Sequence, residues 1–310
     1  MFNRGKIIFV GLVAIFLASA LAGCPAPAKR PVVGKEPTIS LYVKETGQTK
    51  RIKIEDYLQG VVAAEMDTSW PVNALAAQAI LARTFTMKKI QQGGVKAHGT
   101  DASTDVEEFQ AYAPEKINAN VKRAVDLTRG KVVKYQGNYI NGWFHASGGP
   151  RTAASAVEGL DYHKEKAPYI QSVMDPGWDR TTPENKSWSA TFSPQEIAAA
   201  ARKISGQDPG PINSIAIVEK GPSGRAYRLK IGRVTVSGPA LRLALGNERL
   251  RSTLLTDIVV SDRGIIFRGQ GYGHGVGMSQ WGAKALAEKG KSPEEIIKYF
   301  FKGVTIEKAW

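Results

Sequence analysis

The sequence predicts an α+β fold in which short strands and helices are mixed without a regular β-α-β alternation. Three features support this prediction: an early segment of alternating hydrophobicity, two adjacent segments with helical spacing, and a later run of short β-like segments separated by glycine-containing turns. The chain has 310 residues, of which 43% are hydrophobic, and this is enough for one or two domains with a substantial core.

The first elements are a hairpin and a pair of helices. Residues 38–54 are expected to form the β-hairpin, because apolar and polar residues alternate from Ile39 to Val43. Helices are expected over residues 55–66 and 71–92, the second of which begins with proline and ends at two glycines. Only a short loop separates the two helices, so we expect them to pack as an antiparallel pair.

The later elements follow from turn and capping signals. Residues 131–146 are expected to form a second hairpin that turns at residues 136–138, and short strands are expected over residues 212–267. A helix over residues 279–289 stops at a glycine. The last helix begins at Ser292, which is followed by proline and by the glutamate of a capping box.

The N-terminus resembles the leader of an exported lipoprotein. Arg4 and Lys6 precede an uncharged apolar run that is too short to span a membrane, and small residues then lead to Cys24. We therefore expect a lipoprotein signal peptide over residues 1–23, lipidation of Cys24, and a proline-rich tether over residues 24–37. A plain signal peptide with an incidental cysteine is the alternative.

Charge and cysteine content limit the possible partners. The formal net charge of +14 favours polyanions, and for an exported protein these are anionic lipid headgroups and wall polymers rather than nucleic acid. A basic surface that only aids solubility explains the charge equally well. Because Cys24 is the only cysteine, its lipidation would leave no thiol for a disulfide or for a cysteine-ligated metal.

Glu65 and Arg83 are charged residues on helix faces that should be buried. Glu65 follows Val62 by three residues and Val61 by four. Arg83 likewise follows Ile80 by three residues and Ala79 by four. Burial raises the pKa of a carboxyl group, as a general acid working near neutrality requires. Alternatively, Glu65 reaches water or pairs with Arg83. A direct pair would lower the pKa of Glu65, so a catalytic Glu65 implies that Arg83 holds substrate or a neighbouring residue.

A glycine-rich segment, residues 268–282, presents Tyr272, His274 and Gln280 ahead of a helix. It lacks the spacing of a phosphate-binding loop, and an ordinary turn is the alternative to a site.

His145 follows two aromatic residues, a pattern that favours a core histidine when it is considered alone. The four histidines show no metal-ligand spacing, so no metal is expected.

Several of these motifs occur together in one family. The chain resembles the stage II sporulation protein D (SpoIID) family, in which these motifs follow one another in the same order. The resemblance extends over nearly the whole predicted domain, residues 38–310. The segments that carry it are residues 55–66, 74–79, 82–84, 110–112, 144–149, 168–173, 241–246 and 271–283.

The resemblance implies a lytic transglycosylase that cuts peptidoglycan glycan strands, preferably strands without stem peptides, in a cleft unlike that of lysozyme. It implies that Glu65 is the catalytic acid and base. The residues expected to bind substrate are Arg83, Gln110, Tyr112, His145, Ser147, Tyr272, His274 and Gln280. A single carboxylate can suffice for this reaction, because the C6 hydroxyl of the substrate closes a 1,6-anhydro ring without an activated water.

Two other functions remain open from the sequence. The amidase-enhancer branch of the family suggests a non-catalytic, wall-binding activator of an N-acetylmuramoyl-L-alanine amidase, and an unrelated metal-dependent hydrolase is disfavoured by the absent ligand spacing. Some family members bind zinc through cysteines that this chain lacks, so we expect no cofactor. The expected location is outside the cytoplasm, on a membrane and facing the wall. The process could be sporulation or vegetative wall remodelling.

Overall fold

A computed structural model describes residues 34–261 and 264–310. The predicted signal peptide, Cys24 and most of the predicted tether lie outside the described residues. The end of the tether, residues 34–37, contacts the folded domain: the Gly34 N–H donates to the carbonyl of Ala309, and the carbonyl of Pro37 accepts from the N–H of Ile54. No helix within the described ranges is both long and apolar enough to cross a membrane.

The predicted mixture of short strands and helices is confirmed. The helices are α1 (Ile54–Glu65), α2 (Val72–Gln91), α3 (Ala119–Leu127), α4 (Ala156–Leu160), α5 (Pro183–Lys186), α6 (Pro194–Ser205), α7 (Gly238–Ala244), α8 (Gln280–Glu288) and α9 (Pro293–Phe300). Short 3₁₀ turns lie at Pro114–Lys116 and Trp178–Arg180.

The strands are short and form several small sheets. They are β1 (Thr38–Val43), β2 (Gln48–Lys53), β3 (Ala102–Ser103), β4 (Lys131–Tyr135), β5 (Asn138–Tyr139), β6 (Phe144–His145), β7 (Trp188–Phe192), β8 (Ile215–Lys220), β9 (Ala226–Ile231), β10 (Val234–Ser237), β11 (Leu255–Ser261), β12 (Gly264–Gly269), β13 (Met278–Ser279) and β14 (Thr305–Lys308). The strand orders are β2-β1-β3, β5-β4-β14, β10-β9-β8, β11-β12-β7 and β6-β13.

Most predicted elements are confirmed, but the second hairpin is partly wrong, and residues 212–267, expected to form short strands, also contain helix α7 (Gly238–Ala244). The first hairpin is β1 and β2, the helix pair is α1 and α2, and Ser292 caps α9 with a complete capping box. The second predicted hairpin is shorter than expected: β4 pairs with β5, whereas β6 pairs in parallel with the distant β13. A local pattern cannot reveal a strand pair formed between segments so far apart in the chain.

The apolar residues gather in two cores. The first contains buried residues from both ends of the folded chain, residues 39–170 and 276–310, whereas the second lies within residues 188–267. Helix α2 passes through the first core and packs against α1, α3, α8, α9 and β4. Its buried alanines, among them Ala76 and Ala79, allow these neighbours to approach on several sides of the helix.

A buried ion pair between Glu55 and Arg83 joins α1 to α2. Arg83 donates from Nε to Oε1 of Glu55 over 3.1 Å and from Nη2 to Oε2 over 2.5 Å. Oε1 also accepts the N–H of Gly130 and the indole N–H of Trp310, each over 2.9 Å. The Nη1 group of Arg83 donates to the carbonyl of Lys131 over 3.1 Å. The pair therefore connects four parts of the chain at one buried point.

We predict that Arg83→Met destabilises the fold. The substitution would leave the carboxylate of Glu55 buried without its cation, at a cost of about 3–5 kcal/mol in the free energy of unfolding measured with urea. Arg268→Met is a suitable control, because the pair of Arg268 with Asp257 is half exposed on both sides and should contribute less than about 1 kcal/mol. An Arg83→Met protein that unfolds at the same urea concentration as the wild type would contradict this structural role.

Candidate functional site

Glu65 is the last residue of α1, and its side chain is partly buried. One contact is the backbone N–H of Ala111, which donates to Oε1 over 3.2 Å. Burial raises the pKa of the Glu65 carboxyl to about 7, against the opposing effect of the Ala111 hydrogen bond. The C-terminal end of a helix carries partial negative charge, which also disfavours the carboxylate there. Near neutral pH a large fraction of Glu65 therefore carries a proton.

Arg83 does not share the site of Glu65, and the expectation that it contacts substrate conflicts with the structure. Its side chain is fully buried and its partner is Glu55, at the opposite end of α1. At the helical rise of about 1.5 Å per residue, the two glutamates lie about 15 Å apart along α1. Because α2 follows α1 through a short reversal, a residue in the middle of α2 meets the start of α1. The alternative pair of Arg83 with Glu65 is excluded for the same reason.

The segment that contacts Glu65 also holds Gln110 and Tyr112. Gln110 is buried, and its Nε2 donates to Oγ1 of Thr86 over 3.0 Å. The ring of Tyr112 lies against Gly60, where a Cβ atom would come within 2.3 Å of the ring. A glycine in the middle of α1 is therefore needed to bring this segment, and with it the Ala111 N–H, up to the end of the helix.

The ring of Tyr112 also stacks on that of Tyr57, with centroids 5.6 Å apart and an interplanar angle of 13°. Tyr57 is fully buried, and its hydroxyl is one of several buried polar atoms that have no protein partner within the described chain. The buried polar atoms of this kind include Oη of Tyr57, Nε2 and Oε1 of Gln78, Oε1 of Gln110, Nε2 of His145 and Oγ of Ser147. Such groups are costly to bury without a partner.

The glycine-rich segment folds onto the segment that contains His145. Ser147 and Tyr272 exchange two backbone hydrogen bonds, of 3.0 and 2.8 Å. Gly273 has a φ of 106°, and a Cβ atom there would lie 2.7 Å from Cβ of His145. The ring of His274 consequently meets that of His145 edge-on, with centroids 5.6 Å apart. Sequence motifs separated by more than a hundred residues thus form one structural unit.

Both histidines are held neutral. Nδ1 of His145 lies 3.1 Å from the carbonyl of Val276 and must carry the proton in that contact, whereas Nδ1 of His274 accepts the N–H of Val276 over 3.0 Å. Burial lowers the pKa of His145, and the nearby His274 and Arg225 lower it further. Burial, followed by the charges of Arg242 and Arg225, likewise lowers the pKa of His274. Neutral imidazoles can form hydrogen bonds with an uncharged ligand without carrying charge into the site.

Arg225 supports this unit from the second core, and sequence reasoning missed it. Its buried guanidinium donates to the carbonyl of Gly148 over 2.6 Å and to Oγ of Ser223 over 2.7 Å. Gly275 lies directly on it, because a Cβ atom there would be 2.4 Å from Nη2. On the other side of the loop, the N–H of Gly148 donates to Oδ2 of Asp175 over 2.8 Å. An arginine within a short β-like segment offered no sequence signal for this role.

Gln280 connects the two halves of the site. Its Nε2 donates over 3.0 Å to the backbone carbonyl of Glu65, which is free because α1 ends there. The residue before it, Ser279, caps α8 and belongs to β13. The structure therefore links Glu65 to the unit of His145, Ser147, Tyr272 and His274 through Gln280, and to Gln110 and Tyr112 through Ala111.

Other candidate features lie elsewhere on the surface. Cavities of 380, 460 and 580 Å³ are not lined by Glu65, and the largest of the three is formed by residues between Ser155 and Ile170. Within the described ranges, no group of three histidine, cysteine, aspartate or glutamate residues is arranged to hold a metal ion. Beside the carboxyl group of Glu65, the predicted site residues that the structure brings together are neutral polar or aromatic, and the cations of Arg251 and Lys50 lie over the rings of Tyr272 and Tyr112, at 4.1 and 5.5 Å from the centroids.

Comparison with known proteins identifies the family. A sequence model described as stage II sporulation protein matches residues 42–135, and one for a domain of unknown function matches residues 156–277. The chain is 35% identical over 258 residues to an uncharacterised protein of Brachyspira hyodysenteriae, covering 82% of this chain and 67% of that one.

Two relatives from Bacillus subtilis have names that refer to a role. The chain is 30% identical over 300 residues to stage II sporulation protein D, covering 88% of this chain and 79% of the relative. It is 31% identical over 295 residues to the amidase enhancer, covering 80% of this chain but only 40% of that longer protein. On these matches, the chain belongs to the stage II sporulation protein D (SpoIID) family.

Proposed function

We propose that the protein is a lytic transglycosylase that cleaves the glycan strands of peptidoglycan, with Glu65 as its acid and base. The observation that carries this proposal is a partly buried carboxyl group whose pKa is raised to about 7 and which pairs with no basic side chain among the described residues. The names of the relatives support a role at the cell wall. A Glu65 side chain that can donate and accept a proton near neutral pH supports cleavage of the glycan strand as the reaction.

Glu65 can serve both proton transfers of such a reaction. Its protonated carboxyl would donate a proton to the glycosidic oxygen as the bond to C1 of the muramyl residue breaks. The resulting carboxylate would then take the proton of the C6 hydroxyl of the same sugar as this oxygen attacks C1. One bond breaks, one forms in a 1,6-anhydro ring, no water is consumed, and Glu65 ends protonated.

Asp175 is a second carboxyl group in this region, and it has a structural role. Burial raises its pKa, but its oxygens accept the N–H groups of Gly148 and Gly177 over 2.8 and 3.0 Å. These bonds hold the loop that carries Ser147, and they leave Asp175 poorly placed to activate water. An inverting or retaining hydrolase needs a second carboxylate facing the sugar. The arrangement therefore favours the intramolecular ring closure over hydrolysis.

Neutral side chains around Glu65 fit an uncharged polymer backbone. Of the expected substrate contacts, Gln110, Tyr112, His145, Ser147, Tyr272, His274 and Gln280 remain candidates, whereas Arg83 does not. Nε2 of His145, Oγ of Ser147 and Oε1 of Gln110 are buried polar atoms that have no protein partner within the described ranges.

The amidase enhancer of Bacillus subtilis supports a second candidate, a non-catalytic activator of a wall amidase. Such a protein would bind the wall and the amidase without needing a proton donor at Glu65. The two functions therefore make opposite predictions for the Glu65→Gln substitution.

We expect Glu65→Gln to abolish strand cleavage without changing the fold. The amide has nearly the same shape but cannot donate and recover a proton, and a loss of roughly 100- to 10,000-fold is typical when a general acid is removed. Glycan strands freed of stem peptides would be digested, and the ends carrying anhydro-muramyl groups counted by mass spectrometry. Glu219→Gln, an exposed change on β8, is the matched control and should cleave normally.

Three outcomes would contradict parts of this proposal. Full cleavage by Glu65→Gln would remove Glu65 from catalysis and favour the amidase activator. Ordinary reducing ends from the wild type would indicate hydrolysis and a second carboxylate. No cleavage by the wild type, combined with stimulation of an amidase by both proteins, would establish the non-catalytic function.

We further propose that the protein acts outside the cytoplasm, anchored by a lipid on Cys24. The sequence around Cys24 supports this proposal, because small residues precede the cysteine after a short apolar run. We expect Cys24→Ser to lose radioactive palmitate label and to be released from membranes. If the variant remained on membranes as the wild type does, the anchor would have to lie elsewhere.

A further inference from the structure

Two tryptophans lie beside the end of α1, and nothing in the proposed chemistry uses them. Trp70 follows Glu65 in the loop before α2, in a turn where its N–H donates to the carbonyl of Asp67 over 3.0 Å. Trp281 is in the first turn of α8. Their ring centroids are 4.9 Å apart with an interplanar angle of 58°, and both rings keep part of their surface open to solvent. The two rings form a single aromatic surface, which we call the tryptophan pair.

The position of the tryptophan pair relative to Glu65 is fixed by the backbone. Trp281 follows Gln280, whose side chain donates to the carbonyl of Glu65 over 3.0 Å. The N–H of Trp281 donates to the carbonyl of Ala146 over 3.1 Å. Gly177 packs on its carbonyl group so closely that a Cβ atom there would lie 2.2 Å away. The tryptophan pair is therefore held close to Glu65 in two ways. Trp70 follows Glu65 by five residues in the chain, and Trp281 follows Gln280, which binds the backbone of Glu65.

The charge over the tryptophan pair is already balanced by the protein. Nζ of Lys284 lies 5.9 Å from the ring centroid of Trp70 and 5.7 Å from that of Trp281, within the range of cation–π attraction. The same ammonium group is paired with Glu288, which also binds Arg180. Lys284 thus supports the indoles, and its charge is shared within the protein. What remains for a ligand is chiefly the apolar area of two rings.

Such a surface suits a sugar ring better than a charged or extended apolar ligand. A pyranose with equatorial substituents has two faces lined by C–H bonds and a rim of polar groups, so its faces pack against aromatic rings while its rim remains hydrated. Tryptophan provides a large, rigid contact area of this kind, and its indole N–H can bind a hydroxyl at the rim. The position close to Glu65 indicates a sugar of the same strand that is cut.

We propose that Trp70 and Trp281 form a sugar-binding subsite that stacks on a pyranose ring of the glycan strand next to the bond cleaved at Glu65. This inference rests on the proposed function for the identity of the strand. The subsite holds the strand in register with the carboxyl group, and it contributes binding energy rather than a chemical step.

Binding measurements test the subsite without depending on cleavage. In a Glu65→Gln background, Trp70→Ala and Trp281→Ala should each weaken the binding of glycan strands freed of stem peptides by about tenfold, the equivalent of one well-packed aromatic contact. Titration calorimetry gives the Kd, and thermal unfolding verifies that each variant is folded. Trp70→Tyr keeps an aromatic ring and should recover most of the affinity, so it separates the loss of stacking from a loss of structure.

Tyr299→Ala is the matched control, because it removes another partly exposed ring that has a lysine above it, Lys302 at 5.4 Å from the centroid. It should leave the Kd unchanged. Folded alanine variants of both tryptophans that bind the strands as tightly as the parent would overturn the subsite. Normal glycan binding by these variants together with a lost amidase complex would also overturn it, because the tryptophan pair would then bind a protein.

The subsite and the proposed function can fail separately. If the wild-type protein cleaves no strands but the tryptophan variants lose glycan binding, the lytic activity is wrong and the subsite is supported. If cleavage depends on Glu65 but both alanine variants bind and cleave as the wild type does, the subsite is wrong and the activity stands.

Discussion

The buried ion pair of Glu55 and Arg83 determines where α1 lies, and the position of Glu65 depends on it. The two glutamates occupy opposite ends of one helix and have opposite environments. Glu55, at the N-terminal end, accepts hydrogen bonds from Arg83, Gly130 and Trp310, and the helix dipole favours its negative charge. Glu65, at the C-terminal end, accepts a hydrogen bond from the N–H of Ala111, and the helix dipole opposes its charge. The same helix thus stabilises a carboxylate at one end and favours a protonated carboxyl group at the other.

The second core supports the candidate site from a distant part of the chain. The loop with Tyr272 and His274 adopts a backbone that only glycine tolerates at several positions, and it lies against a parallel pair of two-residue strands. Arg225, supplied by the second core, lies under Gly275 and binds the carbonyl of Gly148. Its charge also contributes to keeping the neighbouring histidines neutral.

Local patterns predicted α1, α2, α8, α9 and the first hairpin, because periodicity, caps and glycines act within a few residues of each other. They did not predict the helices α3 to α7. The unusual position of Glu65 on an apolar face was also visible in the sequence, and burial with a raised pKa agrees with it. The role of Arg83 could not be predicted this way. Two charges on facing helices suggested a pair with Glu65, but the antiparallel packing places Arg83 opposite Glu55. The N–H of Ala111 and the support from Arg225 arise only from long-range folding.

The proposed function requires the carboxyl group of Glu65 to be protonated near neutral pH, and burial of this group would keep the proton on it. The most direct test is a carbon-13 NMR titration of the side-chain carboxyl groups, with the Glu65→Gln variant used to assign the resonance. We predict that the pKa of Glu65 is about 7. A resonance that titrates near the ordinary value for glutamate, about 4.3, would show a carboxylate at neutral pH and would contradict the account.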